Sequence, residues 1–389
     1  MKKFQALGSN YTFAWAMRQL VTIGTETASK TLLSTLEQRY GGHAYLYSQG
    51  RNALSQAVRL SCDSTASYVA INSLTCSVVV DAITAADAHP LYIDIDSSKT
   101  AHFSAEALEI ALLKRNDVAA IVVQNTYGRM VDIASIEALA KKYDYILIED
   151  LAHSIGQKYA DGREAGTVGD LVMLSFGGDK LLDVVNGGAL IIRSPQLHMA
   201  MQPPQETPSL LTQFRDRIYP LLSWKVRATY NIGLGKFILV GMYKLGLAVR
   251  SSDGGIARNE RLPHWQAALV NLRLEQLDAL NAHRREIMSM YEQAFTNKLL
   301  STGGTIRAAL AIDRPADALA ELREADFELS DTWYDTPIGP ERKYKLLEYP
   351  TTECVNAVEL SPHIINLPTH DYIQPEDAKR IIAIAEKYV

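Results

Sequence analysis

The sequence predicts an α/β chain: a large domain on a mostly parallel, doubly wound sheet, then a smaller α+β C-terminal domain. Three observations predict it. Short apolar runs alternate with amphipathic segments through the first half, the rhythm of strand–helix–strand units that place helices on both faces of a sheet. Several of those runs end in polar residues, as buried strands do at the carboxyl edge of such a sheet. At 389 residues and 47% hydrophobic content, the chain is long enough for two lobes with sizeable cores.

Residues 1–40 read as an approach segment with short helices, the second over Ser29–Tyr40. Ala44–Tyr47 is a strand, and Gly50 opens a helix to about Ser61, a geometry in which N–H groups at a helix start receive a phosphate. Tyr68–Ile71 is the next strand, leading through Thr75 and Cys76 to a helix over Val78–Ala86. Leu91–Asp96 reads as a strand, Ser104–Lys114 as a helix, and Val118–Val123 as a β-branched strand running into Tyr127 and Gly128. Ile133–Tyr143 is helical, with Ile133, Ile136, Leu139 and Ala140 on one face. Tyr145–Ile148 ends in Glu149-Asp150, Leu171–Phe176 ends in Gly177-Gly178-Asp179-Lys180, and Gly187–Ile192 follows.

Residues 203–255 form a helical insertion between the large domain (1–202) and a linking helix plus small domain (256–389). Helical spacing runs over Leu210–Leu222, and the following stretch interleaves apolar residues with Lys236, Lys244 and glycines. It falls short of the ~20 clean apolar residues of a membrane span. A flap on a subunit interface is the favoured reading, and contact with a membrane surface or a lipid-linked substrate is the alternative. Beyond it, after Arg258–Ala268, a long helix is expected to about Thr296. Strands follow at Thr305–Ile312, Phe327–Leu329 and Ile364–Leu367, with helices at Pro315–Ala325 and Pro375–Tyr388.

A net charge of −5 with interspersed signs offers no nucleic-acid surface. Three cysteines, Cys62, Cys76 and Cys354, fit a reducing cytoplasm better than a disulfide framework. The N-terminus lacks the apolar run and cleavage site of a signal peptide. No metal-ligand set is expected.

The chemistry concentrates between Tyr145 and Ile192. Singly, Asp150 reads as a helix cap and Lys180 as a surface charge. Together, with Ser175 five residues before the lysine, they are the set a pyridoxal 5′-phosphate enzyme needs. The lysine holds the aldehyde as a Schiff base, and the carboxylate keeps the pyridine nitrogen protonated.

The stretch resembles the DegT/DnrJ/StrS-type sugar aminotransferases, which are fold type I pyridoxal phosphate enzymes. The matching residues are Glu149-Asp150-Leu151-Ala152-His153, Gly166-Thr167-Val168-Gly169-Asp170, Ser175-Phe176 through Lys180, and Gly187-Gly188. Further similarity lies at Gly50 and from Arg258-Asn259 through Gln266-Ala267-Ala268. The resemblance implies roles. Lys180 is the imine-forming lysine and base, Asp150 holds the ring N–H, and His153 faces the ring oxygen. Gly50, Arg51 and Ser175, with Asn259 from the other subunit of a homodimer, hold the phosphate. Thr75, at a strand end, is a further cofactor-binding candidate, and Cys76 stands where many relatives stack an aromatic on the ring, as a thin apolar cover or an ordinary packed thiol. Three positions depart from the family: Arg51 replaces a threonine, Cys76 an aromatic, and Glu260 a tyrosine. The implied reaction is ping-pong amino transfer, from glutamate to a keto group of a nucleotide-linked sugar. Two alternatives stand beside it. One is a sugar dehydratase, although such relatives carry histidine at the lysine position; the other is a cofactor-binding sensor or scaffold without turnover.

Overall fold

Side-chain parity along two neighbouring strands decides where the site lies. The computed structural model describes residues 3–5, 10–62, 67–97, 100–248, 252, 254–257, 259–329 and 332–389; Arg258 of the sequence motif lies outside them.

The approach segment carries α1 (Phe13–Val21) and α2 (Glu26–Tyr40). The second starts at Glu26 rather than Ser29, because the Thr25 side chain accepts from the Ala28 N–H and caps it there. The wound region then runs β1 (His43–Tyr47), α3 (Gly50–Ser61), β2 (Tyr68–Asn72), α4 (Ser77–Thr84), β3 (His89–Ile93), α5 (Ala105–Leu112), β4 (Val118–Gln124), α6 (Ile133–Tyr143), β5 (Ile146–Asp150), β6 (Leu171–Ser175) and β7 (Gly188–Ile192). β3 ends before the acids expected in it. The Asp94 carboxylate accepts from the N–H groups of Ile95, Asn356 and Ala357, which turns the chain out of the sheet toward the C-terminal region.

The seven strands lie in the order β1-β7-β6-β5-β4-β2-β3. β7 is antiparallel to both neighbours, and the other pairs are parallel. Alternate side chains go to opposite faces. Leu147, Val172 and Leu174 join the apolar cluster under α2 and α6, whereas Ile148, Leu171 and Met173 join the one under α3 and α4. Asp150 and Ser175 share the parity of the second set, so both strand ends present their polar residue beneath α3. Glu149 points the other way. Its carboxylate accepts from Tyr159 Oη at 2.7 Å and from the N–H groups of Gly166, Val168 and Gly169. The 166–170 motif is thus a clasp that fixes the end of β5.

Beyond the sheet, α7 (Leu210–Thr229) and α8 (Leu234–Lys244) form a helical hairpin. α7 continues past the expected end at Leu222, straight through Pro220. A proline there frees the carbonyl four residues back, and the Asp216 carbonyl is taken by Gln19 Nε2 at 2.8 Å. The expected single long helix is two, α9 (His264–Glu275) and α10 (Leu277–Ala294), divided at Gln276. β8 (Arg307–Ala311), α11 (Pro315–Glu324), β9 (Ile364–Pro368) and α12 (Pro375–Ala385) complete the chain. β8 and β9 pair antiparallel and pack with α10 and α12 around a separate apolar cluster, including Ile287, Tyr291 and Ile381.

Candidate active site

A hollow of about 670 Å³, partly open to solvent, lies where β4, β5 and β6 end under α3. Gly50, Arg51, Cys76, Asp150, Ser175 and Lys180 all line it. Register explains part of this: Gln124 pairs with Asp150 and Asp150 with Met173, and all three face the hollow.

One end is a glycine cup. A Cβ on Gly50 would lie 2.9 Å from Ser175 Oγ, and one on Gly188 would lie 2.5 Å from Gly50 Cα. Only glycines let β7 and the start of α3 approach this closely. Gln49 makes no side-chain cap, so the helix presents N–H groups beside the Ser175 hydroxyl, an oxyanion receptor. Arg51 is buried, and its Nη1 donates to the Gly254 carbonyl at 2.8 Å.

At the depth sits Asp150, fully buried. Burial pushes its carboxyl up to about 6, opposed by the Ala152 N–H and by Lys180. A cation placed against it would supply the missing countercharge. Lys180 is held below the usual lysine range by burial, partly offset by Cys76 and Asp150. That shift favours the free amine, the nucleophilic form. Its Nζ lies 4.6 Å from the Trp333 ring centre. Burial raises the Cys76 thiol, keeping it protonated.

His153 is buried beside the hollow. Its Nδ1 accepts the Tyr127 N–H at 3.2 Å, which places the ring proton on Nε2. Burial, then Lys180 and Arg307, push its pKa well down, so the ring is neutral. It stacks on Trp333 with 5.2 Å between centroids. Thr75 does not line the hollow. Its hydroxyl donates to Gln124 Oε1 at 2.5 Å and orients an amide that does. Asn259 lies on the surface, bonded to Glu206 and the Gln205 N–H, outside this chain's hollow. Glu260 accepts the Ser48 hydroxyl. Gln266 Nε2 donates to the Asn186 carbonyl at 3.0 Å, steadying the loop at the hollow's rim.

Sequence reasoning missed the aromatic lid. Tyr334 lines the hollow, and Trp333 covers His153 and Lys180. Both arrive because Ile338–Gly339 pairs in parallel with Thr75–Cys76. No periodic signal marks that segment. These residues fit pyridoxal phosphate: an oxyanion cup at one end, a buried carboxylate lacking a cation at the other, and an amine of lowered pKa between.

Residues 38–386 match the DegT/DnrJ/EryC1/StrS aminotransferase family. GDP-perosamine synthase of Escherichia coli O157:H7 is 32% identical over 363 residues, covering 90% of this chain and 86% of that protein. Among solved structures, Helicobacter pylori PseC, an aminotransferase of pseudoaminic acid biosynthesis, superposes with TM-score 0.72 at 16% identity, covering 99% of each chain. The Escherichia coli GDP-4-keto-6-deoxy-D-mannose-3-dehydratase with bound hydrated pyridoxal phosphate does so with TM-score 0.71 at 14%, again covering 99% of each. These two likenesses establish the fold.

Proposed function

The chain belongs to the DegT/DnrJ/EryC1/StrS aminotransferase family, and on that premise we propose that it moves an amino group from glutamate to a keto group of a nucleotide-linked sugar, in two half-reactions at one site. The cofactor is pyridoxal 5′-phosphate. Bound there, it supplies an aldehyde for exchange with amines and a ring that accepts electrons. The observation that carries the reading is a lysine of lowered pKa sharing one hollow with a buried carboxylate and a glycine-lined oxyanion cup.

The residues divide the work. Lys180 Nζ anchors the cofactor and, once released, takes the Cα proton of the bound amino acid. Asp150 holds the proton on the pyridine nitrogen. His153 offers Nε2–H to the ring oxygen. Ser175 Oγ, the Gly50 N–H and Arg51 hold the phosphate. Tyr334 supplies an aromatic surface beside Cys76, where the family departs from this chain. Asn259 of a second copy completes the phosphate contacts in a homodimer; its present bonds to residues 205 and 206 must then be exchanged. The helical insertion is assigned to that subunit interface.

The dehydratase reading is not favoured, because Lys180 stands where such relatives carry histidine. Purified protein tests the proposal. Glutamate should shift the cofactor's absorbance and release 2-oxoglutarate, and the charged enzyme should add an amino group to a member of a panel of nucleotide keto-sugars, scored by mass. A cofactor that binds but does not respond to any amino acid would make this a binding module instead.

A further inference from the structure

Lys180 borders two hollows, and the second has no part in the scheme above. It has an empty volume of about 600 Å³, and its lining includes Gln5, Arg273, Arg284, Arg307, His370 and Asp371. We propose that this hollow seats the distal carboxylate of the amino donor, gripped by Arg284, Arg273 and Gln5. The proposal rests on the aminotransferase reading and deepens it by naming what recognises a dicarboxylic donor.

Unmatched donors carry the argument. Arg284 is 7% exposed, yet among the described residues its Nε and Nη1 have no hydrogen-bond partner. Arg273 Nε is likewise buried and unpartnered, with its guanidinium stacked 3.7 Å over Trp15. Gln5 is 3% exposed, and neither amide atom is bonded. A buried guanidinium without an acceptor is unfavourable, and an arriving oxyanion relieves it.

The carboxylates already present do not meet that demand. Asp179 pairs with Arg307 at 2.9 Å. Asp183 accepts from Tyr11 Oη and from the N–H groups of Val185 and Asp179. Asp371 is exposed; it partly offsets the burial of Arg284, and Asp183 and then Asp371 partly offset that of Arg273, without bonding the unmatched N–H groups. Arg307 is taken by Asp179, so the unmatched N–H groups of Arg273 and Arg284 remain at the wall of a hollow partly open to solvent. His370 accepts the Tyr372 N–H at Nδ1, and its pKa is pushed down to about 3, so it adds no charge.

Shape favours a small dicarboxylate over a diphosphate. Leu181, Leu280 and Ile306 give the hollow an apolar part to its wall, which suits the methylenes of a chain such as glutamate's. The planar guanidinium fork matches a carboxylate's two oxygens. An amino acid reacting at Lys180 and extending into this hollow brings its far carboxylate to Arg284.

The test uses holoenzyme, wild type, R284Q and R273Q, each checked for folding by circular dichroism. Calorimetry with glutarate and with butyrate reads the seat directly. The glutamate half-reaction, followed by cofactor absorbance, reads it in function. Wild type should prefer glutarate to butyrate, and R284Q should weaken glutarate and glutamate by about 10- to 100-fold with butyrate unchanged. R273Q, at an arginine less deeply buried than Arg284, should weaken them less and decides the matter should R284Q misfold. Unchanged glutamate and glutarate affinity in the folded variants overturns the proposal, as does an equal loss for glutarate and butyrate. A defect confined to the nucleotide-sugar half-reaction overturns it in favour of a diphosphate seat. A wild-type protein that takes up no cofactor refutes the aminotransferase reading instead, and glutarate binding then still decides the anion seat.

Discussion

The hollows around Lys180 and the α7–α8 hairpin distribute polarity in opposite ways. Around the lysine the chain buries charge: Asp150 is 1% exposed and Arg284 7%. On the hairpin it exposes apolar bulk, with Leu210 85% and Phe237 78% exposed. Leu234, Phe237 and Val240, all exposed, recur at helical spacing, so they form one stripe on α8. Buried charge and exposed apolar stripes are both unfavourable for an isolated folded chain. The difference teaches what each region awaits. On the readings proposed above, small charged molecules complete the first, and a large apolar surface the second.

Removing the lysine should have the largest effect and bear on the first region alone. Lys180→Ala is expected to lose ~10³-fold or more in amino transfer and to leave no borohydride-reducible cofactor, read by mass after reduction. A retained adduct in that variant would remove Lys180 from its role. A glycine-to-alanine pair then sets the regions side by side. A Cβ at Gly188 would lie 2.5 Å from Gly50 Cα and 2.8 Å from Gln49 C, all backbone. Gly188→Ala should therefore cost about 1–3 kcal/mol and weaken cofactor affinity as the cup opens. A Cβ at Gly241 on α8 meets nothing within 4 Å. Gly241→Ala should stabilise by about 0.5–1 kcal/mol with cofactor affinity unchanged. Thermal melts and cofactor titrations of both variants check the contrast; equal behaviour would mean the cup is not tightly built.

Asp150 links burial to pH. Its carboxyl is raised from 3.8 to about 6, so the folded apoprotein holds that proton more tightly than the unfolded chain. The stability from the neutral form is complete below about pH 4 and is lost as pH rises through 6. Cofactor-free Asp150→Asn should consequently melt higher than wild type above pH 6, by at most about 3 kcal/mol, and the gap should close below pH 4. Amino transfer should fall sharply in the same variant. A melt difference independent of pH would show that Asp150 is not the group responsible.

The part of this that the sequence made legible is the part carried by local pattern. The apolar runs ending at Asp150 and Ser175 gave the strands, and side-chain parity put both residues on one face. Gly50 before a helical pattern marked the cup. Long-range pairing was not legible. Tyr334 reaches the hollow, and Trp333 reaches Lys180 and His153, through a segment that residues 338–339 tie to 75–76, more than 250 positions away. Arg284 and Gln5, far apart in the chain, line one hollow, and no local pattern singles out either. Helical spacing carried α7 past Pro220 to Leu222, but the Gln19 amide that takes the freed Asp216 carbonyl could not be read locally. The 166–170 motif was visible as a motif, but its work on Glu149 needed coordinates.

The hairpin's own test has the smallest effect on chemistry. Phe237 and Val240 are exposed and do not line the hollow, so Phe237→Ser with Val240→Ser should change the folding stability of one chain by no more than about 0.5 kcal/mol. The amine-donor half-reaction should persist wherever the cofactor stays bound. If the stripe covers a second copy, light scattering will show the variant shifted toward monomer, and cofactor affinity will fall with dilution because Asn259 no longer arrives from a neighbour. If it faces lipid, mass in solution will not change, and flotation with anionic vesicles will be lost instead; Lys236 and Lys244 on the same helix would supply that attraction. The first outcome joins the two regions, since the apolar stripe would then complete the oxyanion cup, and the second separates them.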